Sequence, residues 1–324
     1  MNRTLLRTCA TLVAAASLAL PALAKDQALS LVPANAVTVG MVKLADMRSS
    51  PLSSMLFQQT DKMSADGDGA KFLAETGLSP TKDIDVLVVA TSPRSNLGSE
   101  ADVVVLAEGR FNVERLTAAL VSHGAVKKNG YLVPPKEAGD HSEGAVAFAS
   151  PSLVIAGSER AVAAALEART NGGTGFLSRG GLAADIARID SSATAWAVVD
   201  VTRAQRLTKG GTVTTGHGQS GEALQAALKS VSTVAVWAKD TGDALQLGAL
   251  GLSSDAETLE LLEDTVRGAL SALRLAVKEK SPEMVSVLRR FDVSRKSDSI
   301  LIEGSIPAAS LRELMAKKTA AMKQ

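Results

Sequence analysis

The amino-acid sequence predicts an α+β fold made of two similar halves in tandem, each an antiparallel sheet with helices packed mainly on one face. Three observations lead there. Short β-branched runs keep exchanging with amphipathic stretches of helical period. Neighbouring strands are joined by links too short for a crossover helix, which implies antiparallel pairing. The same order of elements also recurs at a spacing of roughly 140 to 160 residues, as in an internal duplication.

In the first half, Val37–Val42 reads as a strand, followed by helical stretches near Leu52–Gln59 and Lys71–Thr76. Ile84–Ala90 and Asp102–Leu106 are strands rich in valine, separated by the turn-forming Ser92–Gly98. A helix is predicted over Asn112–His123. Asn112 is its N-cap, Val113, Leu116 and Leu120 form one stripe, and Gly124 stops it. Strands follow at Tyr131–Val133, Ala145–Phe148 and Leu153–Ala156, and Ser158 then opens a helix carrying Val162, Ala165 and Leu166.

The second half repeats this order. Ala195–Val201 is a strand, Glu222–Leu228 a helix, and Val231–Ala238 with Ala244–Leu250 a hairpin turning through Asp240–Asp243. The longest helix carries Leu259, Leu262, Val266, Leu270, Leu273 and Val277 at three- and four-residue steps, with Ser254 and Glu257 as a capping box. Ser281-Pro282 starts another helix, Ile300–Ile302 is a strand, and a helix near Ala309–Ala316 ends the chain. The expected division is a leader at 1–24, a first domain at 25–175 and a second at 190–324, with Asn171–Gly175 as the weak stretch between them.

The leader reads as a cleavable signal peptide. Arg3 and Arg7 precede the small apolar run Thr11–Leu20, Pro21 breaks it, and Ala22-Leu23-Ala24 supplies a small-x-small cleavage pattern. Cleavage leaves a chain of 300 residues (324 − 24) and removes the single cysteine, Cys9. The expected product is exported, soluble, cysteine-free, and periplasmic or secreted, held by core packing without disulfides. It would carry 33 basic residues (35 − 2) against 34 acidic ones. That balance gives no reason to expect nucleic acid as a partner. With aromatics at only 3%, stacking platforms are few. After the leader no apolar run reaches the length of a transmembrane segment.

Leu31–Ala36, Gly109–Leu116, Ala156–Val162 and Ala195–Val198 together resemble a group of uncharacterised exported bacterial proteins gathered as a domain of unknown function. The resemblance covers about the first 200 residues of this sequence. It implies an exported two-part α+β protein, and no functional residue carries over from it.

The motifs that offer chemistry fail one by one. Gly216-His217-Gly218-Gln219-Ser220-Gly221 matches a dinucleotide fingerprint, but the residues before it make a poor buried strand and the strand after it turns back as a hairpin. It reads as a glycine-rich loop, and no cofactor is expected. Ser64–Glu75 places Asp66, Asp68 and Glu75 at ligand positions of a calcium loop, yet position one lacks a carboxylate. Those three are the weak candidates for a metal. Ser79 and Lys82 match the first penicillin-binding element without its partners. His123, His141 and His217 are scattered, Asp83 and Asp85 share a strand entrance, and Trp196 and Trp237 read as core residues.

No catalytic residue is assigned. The leading expectation is a non-catalytic exported protein that binds either another envelope protein or a small ligand between its halves. The alternative is an extracytoplasmic hydrolase in which Asp83, Asp85 or His141 meet distant residues.

Overall fold

A computed structural model describes residues 27–54, 57, 67–94, 101–135, 144–172, 176–177, 181–207, 231–278 and 281–313. Twelve strands form one antiparallel sheet: β1 (Thr38–Lys43), β2 (Ile84–Pro93), β3 (Ala101–Gly109), β4 (Val126–Lys128), β5 (Tyr131–Val133), β6 (Gly144–Ser150), β7 (Leu153–Ser158), β8 (Ala195–Asp200), β9 (Thr233–Asp240), β10 (Ala244–Leu252), β11 (Asp292–Arg295) and β12 (Ser299–Pro307). The helices include α1 (Leu44–Met47), α2 (Gly67–Thr76), α3 (Pro80–Asp83), α4 (Val113–Ser122), α5 (Glu159–Thr170), α6 (Leu182–Ile186), α7 (Val201–Leu207), α8 (Ala256–Val277) and α9 (Pro282–Leu288).

The α+β character and the antiparallel pairing agree with the sequence reading. The expectation of a separate sheet in each half is corrected. Outward from the centre the order is β1-β2-β3-β7-β6-β5-β4 on one side and β8-β9-β10-β12-β11 on the other, and β1 pairs with β8 to close the seam. An unpaired edge on either strand would leave a row of backbone N–H and C=O groups without partners, and pairing satisfies them. At the seam Gly40 stands opposite Ala197. Just beyond the ladder, Lys43 N donates to Thr194 O and Asp200 N to Val37 O, both at 2.8 Å.

A second correction concerns the helices, which cover both faces. Alternation sends Val39, Val88, Leu106, Ile155 and Val198 to one face, which we call the inner face. There they meet the segment at 28–36, with Leu31 and Val32 buried, together with Ala161, Val162 and Ala165 of α5 and Leu182 of α6. A carboxylate completes this layer, since buried Glu108 accepts from Ala28 N at 2.8 Å. The outer face carries two smaller clusters. Phe72 of α2 with Val113 and Leu116 of α4 packs on Leu87, Ala107 and Val154. Leu259, Leu262 and Val266 of α8 pack on Val234, Ile300 and Val293. The outer layer is needed where the sheet is apolar on that side too, at Leu87, Ala107 and Val154 in the first half and at Val234, Ile300 and Val293 in the second.

Local chemistry explains several ends. Asn112 caps α4 as expected, its side chain accepting from Arg115 N at 3.0 Å. The α8 cap is Asp255 rather than Ser254. Its carboxylate accepts from Glu257 N and Thr258 N, and the anion sits favourably at a helix N-terminus. Asn129 and Gly130 both adopt positive φ in the two-residue turn joining β4 to β5. Ser158 precedes α5 without capping it and bonds Val103 N instead. Among the described residues no helix is long and apolar enough to cross a membrane. The leader, Gly216–Gly221, Glu222–Leu228 and residues 314–324 lie outside the described residues.

Candidate functional site

Between the two outer clusters, the middle of the outer face is left open among the described residues. Its floor is the row of strands β2, β1, β8, β9 and β10, and α2 and α4 stand to one side with α8 on the other. Register places Leu87, Val89, Gly40, Val42, Ala195, Ala197, Val236, Ala238 and Leu247 on this side of the sheet. Together they line a groove of about 580 Å³ that straddles the seam, and among the described residues no charged side chain takes part in its lining. Val89 and Val236 are 37% and 45% exposed, which makes this a continuous apolar strip open to water. Exposed apolar area costs about 25 cal/mol per Å², and such patches mark contact sites.

The floor is low because its central residues are small. Glycine and alanine at positions 40, 195, 197 and 238 leave space where larger side chains would meet. Gly40 itself is not demanded by its backbone. A Cβ there would make only ordinary contacts, 3.5 Å to Trp196 O and 3.6 Å to Ala197 Cβ.

Polar ties fasten the two halves beside the groove. Ser53 donates to Asp240 across the seam, and Asp240 also accepts from Gly242 N at 2.8 Å. Burial would raise the Asp240 carboxyl, but hydrogen bonds from the Ser50 and Ser53 hydroxyls and from Gly242 outweigh it and hold it below the usual carboxylate range. Lys43 Nζ donates to Ser191 O at 2.8 Å, and Arg203 Nη2 to Asn35 O at 2.7 Å. These ties run in both directions between the halves.

The chemistry-bearing residues singled out from sequence do not converge here. Asp83 ends α3 and accepts from Ser79 N at 2.7 Å, while Asp85 pairs with Arg48. Neither lines the groove. Glu75 lies on α2, where His123 Nε2 meets its carboxylate at 2.9 Å and the Ser122 hydroxyl donates to it at 3.3 Å. Asp68 falls within α2, and the chain is helical from Gly67 onward rather than looped. Asp66, His141 and His217 lie outside the described residues. Among the described residues, no group of three or more His, Cys, Asp or Glu is arranged to hold a metal ion. Trp196 and Trp237 face each other across β8 and β9 on the inner side, Trp196 buried and Trp237 half-buried.

Sequence reasoning missed the groove because small apolar residues form no motif. One signal was present. Thr38–Val42 and Ala195–Val199 are apolar on both alternating faces, so these strands had a second face to cover.

No family model matches the chain, and no curated protein matches it. Solved structures do. Three crystal forms of a protein called TP0453 align over 89% of this chain and 95% to 97% of theirs. Forms I and IV give TM-scores of 0.48 at 10% identity. Form III gives a TM-score of 0.50 at 9% identity, a likeness of fold.

Proposed function

We propose that this chain is an exported, non-catalytic binding protein of the cell envelope, periplasmic or secreted, which holds a small apolar ligand in the groove between its halves. The observation that carries the reading is the lining of that groove. Among the described residues it is wholly uncharged, it is centred on the seam, and its volume falls in the range of small-molecule sites. An ion or a sugar would lose its water there without gaining a partner, whereas an apolar molecule gains burial. The strands β2, β1, β8, β9 and β10 supply the whole lining among the described residues, and the helices pack on the sheet to either side of it. The export half of the proposal rests on the composition of residues 1–24.

An internal duplication would explain the placement. The matching strand order on either side of the seam is what two copies of one unit would produce. The ligand would then sit on the local two-fold axis relating the copies.

The test is binding of the uncharged dye N-phenyl-1-naphthylamine. The full chain is expected to give a saturable rise in emission. Gly40→Leu with Ala197→Leu, which fills the floor, is expected to weaken it about tenfold or more with an unchanged melting temperature. Leu275→Ser, at an exposed leucine on α8, is the control and leaves binding unchanged. Equal dye binding by the filled variant and the parent would overturn the proposal.

A further inference from the structure

The inner face carries a second cavity that owes nothing to the groove. It lies in the second half, measures about 290 Å³, and has Leu250 and Leu301 in its floor. Register sets Trp237, Gly248 and Glu303 in one row across β9, β10 and β12. A Cβ on Gly248 would fall inside the Trp237 indole. The ring therefore spreads across the glycine toward Glu303 and makes a flat aromatic wall.

Four charged side chains line this cavity, and two of them are already engaged. Arg188 holds Asp298 through two hydrogen bonds of 2.9 Å, and Asp190 pairs with Lys239 at 3.6 Å. The other two, Lys296 and Glu303, have no side-chain partner among the described residues and do not pair with each other. One cation and one anion thus face the same small space, apart, beside an indole and two leucines.

We propose that this cavity binds a small zwitterion of the amino-acid type with an apolar side chain. Its ammonium group lies against Glu303 and the Trp237 ring, where a carboxylate and an aromatic face both favour a cation. Its carboxylate meets Lys296, and its hydrocarbon rests on Leu250 and Leu301. A ligand with only one of the two charges leaves the opposite protein charge without a partner, so discrimination falls on the pair.

The chain has two tryptophans, so Trp196→Phe leaves Trp237 as the only indole. Its emission is titrated with L-leucine, 3-methylbutylamine and 4-methylpentanoate, and calorimetry on the unsubstituted chain repeats the measurement should that variant fold poorly. L-Leucine is expected to bind saturably, and each singly charged analogue about tenfold more weakly or worse. Glu303→Gln and Lys296→Met, both at exposed positions, are each expected to remove most of that advantage. Gly40→Leu with Ala197→Leu keeps L-leucine binding, so a failed groove and a failed cavity are told apart. The proposal is overturned if the three probes bind alike, if L-leucine does not bind, or if both charge variants bind it as the parent does.

Discussion

The third and fourth strands out from the seam are β3 and β7 in the first half, and β10 and β12 in the second. In each pair a large apolar residue of one strand faces another on the inner side: Leu106 opposite Ile155, and Leu250 opposite Leu301. In the first half α5 lays Val162 over this pair, and Leu106, Ile155 and Val162 are all fully buried. In the second half Leu250 is 6% exposed and Leu301 only partly buried, and a cavity stands above them. One topology thus serves two ends. Where a helix closes the face the strands hold the molecule together, and where charged side chains ring it the same strands offer a site.

The largest test of that contrast is a matched pair of truncations. Leu106→Ala removes a side chain from a filled interior and is expected to cost about 2–5 kcal/mol. Leu301→Ala removes one already bordering open space and is expected to cost about 1 kcal/mol or less, because less burial is lost and no new enclosed void forms. Urea denaturation of the two variants measures both. Equal costs would mean that the second half is as closely packed as the first.

A smaller effect is expected at Gly248, where the ring of Trp237 takes the place of a side chain. Gly248→Ala forces the indole aside and is expected to cost about 1–3 kcal/mol. In a Trp237→Ala background the collision is absent, so most of that cost should disappear, which a double-mutant cycle reads directly. Additive costs would show that the ring moves freely and forms no fixed wall.

Much of the fold was legible because it rests on local pattern. The stripe of α8, the cap at Asn112 and the hairpin turning at Asp240–Asp243 each announce themselves within a few residues. The joining of the halves was not legible, since it depends on Gly40 meeting Ala197 across residues that lie far apart in sequence. The two faces were misjudged for a related reason. The helix α8 shows which of its own sides is apolar, but not which side of the sheet it will reach. The candidate sites were hidden more deeply. The groove depends on alanines and a glycine that carry no chemical signature, and the cavity on Lys296 and Glu303, which among the described residues are left over after their neighbours have paired. Aspartates that did stand out, such as Asp83 and Asp85, turned out to hold a helix end and an arginine.

The smallest expected effect is a dependence on pH confined to the rim of the second half. The Arg188 guanidinium, through hydrogen bonding and charge, holds the Asp298 carboxyl below the usual carboxylate range against the opposing pull of burial. A carboxyl lowered in the folded state adds stability that is present above its unfolded value of about 3.9 and is lost as pH falls through the lower folded value. Asp190, lowered mainly by the Ser192 hydroxyl and backbone N–H, works in the same direction. Asp298→Asn is therefore expected to melt earlier than the parent at neutral pH and to converge on it in acid, with a flatter profile below about pH 4. Both side chains are substantially open to solvent, so salt should shrink the difference. Parallel melting curves for parent and variant from pH 7 to pH 3 would show that this pair does not fasten the turn after α6 to the β11–β12 turn. The second half would then need another tether to keep its cavity in shape.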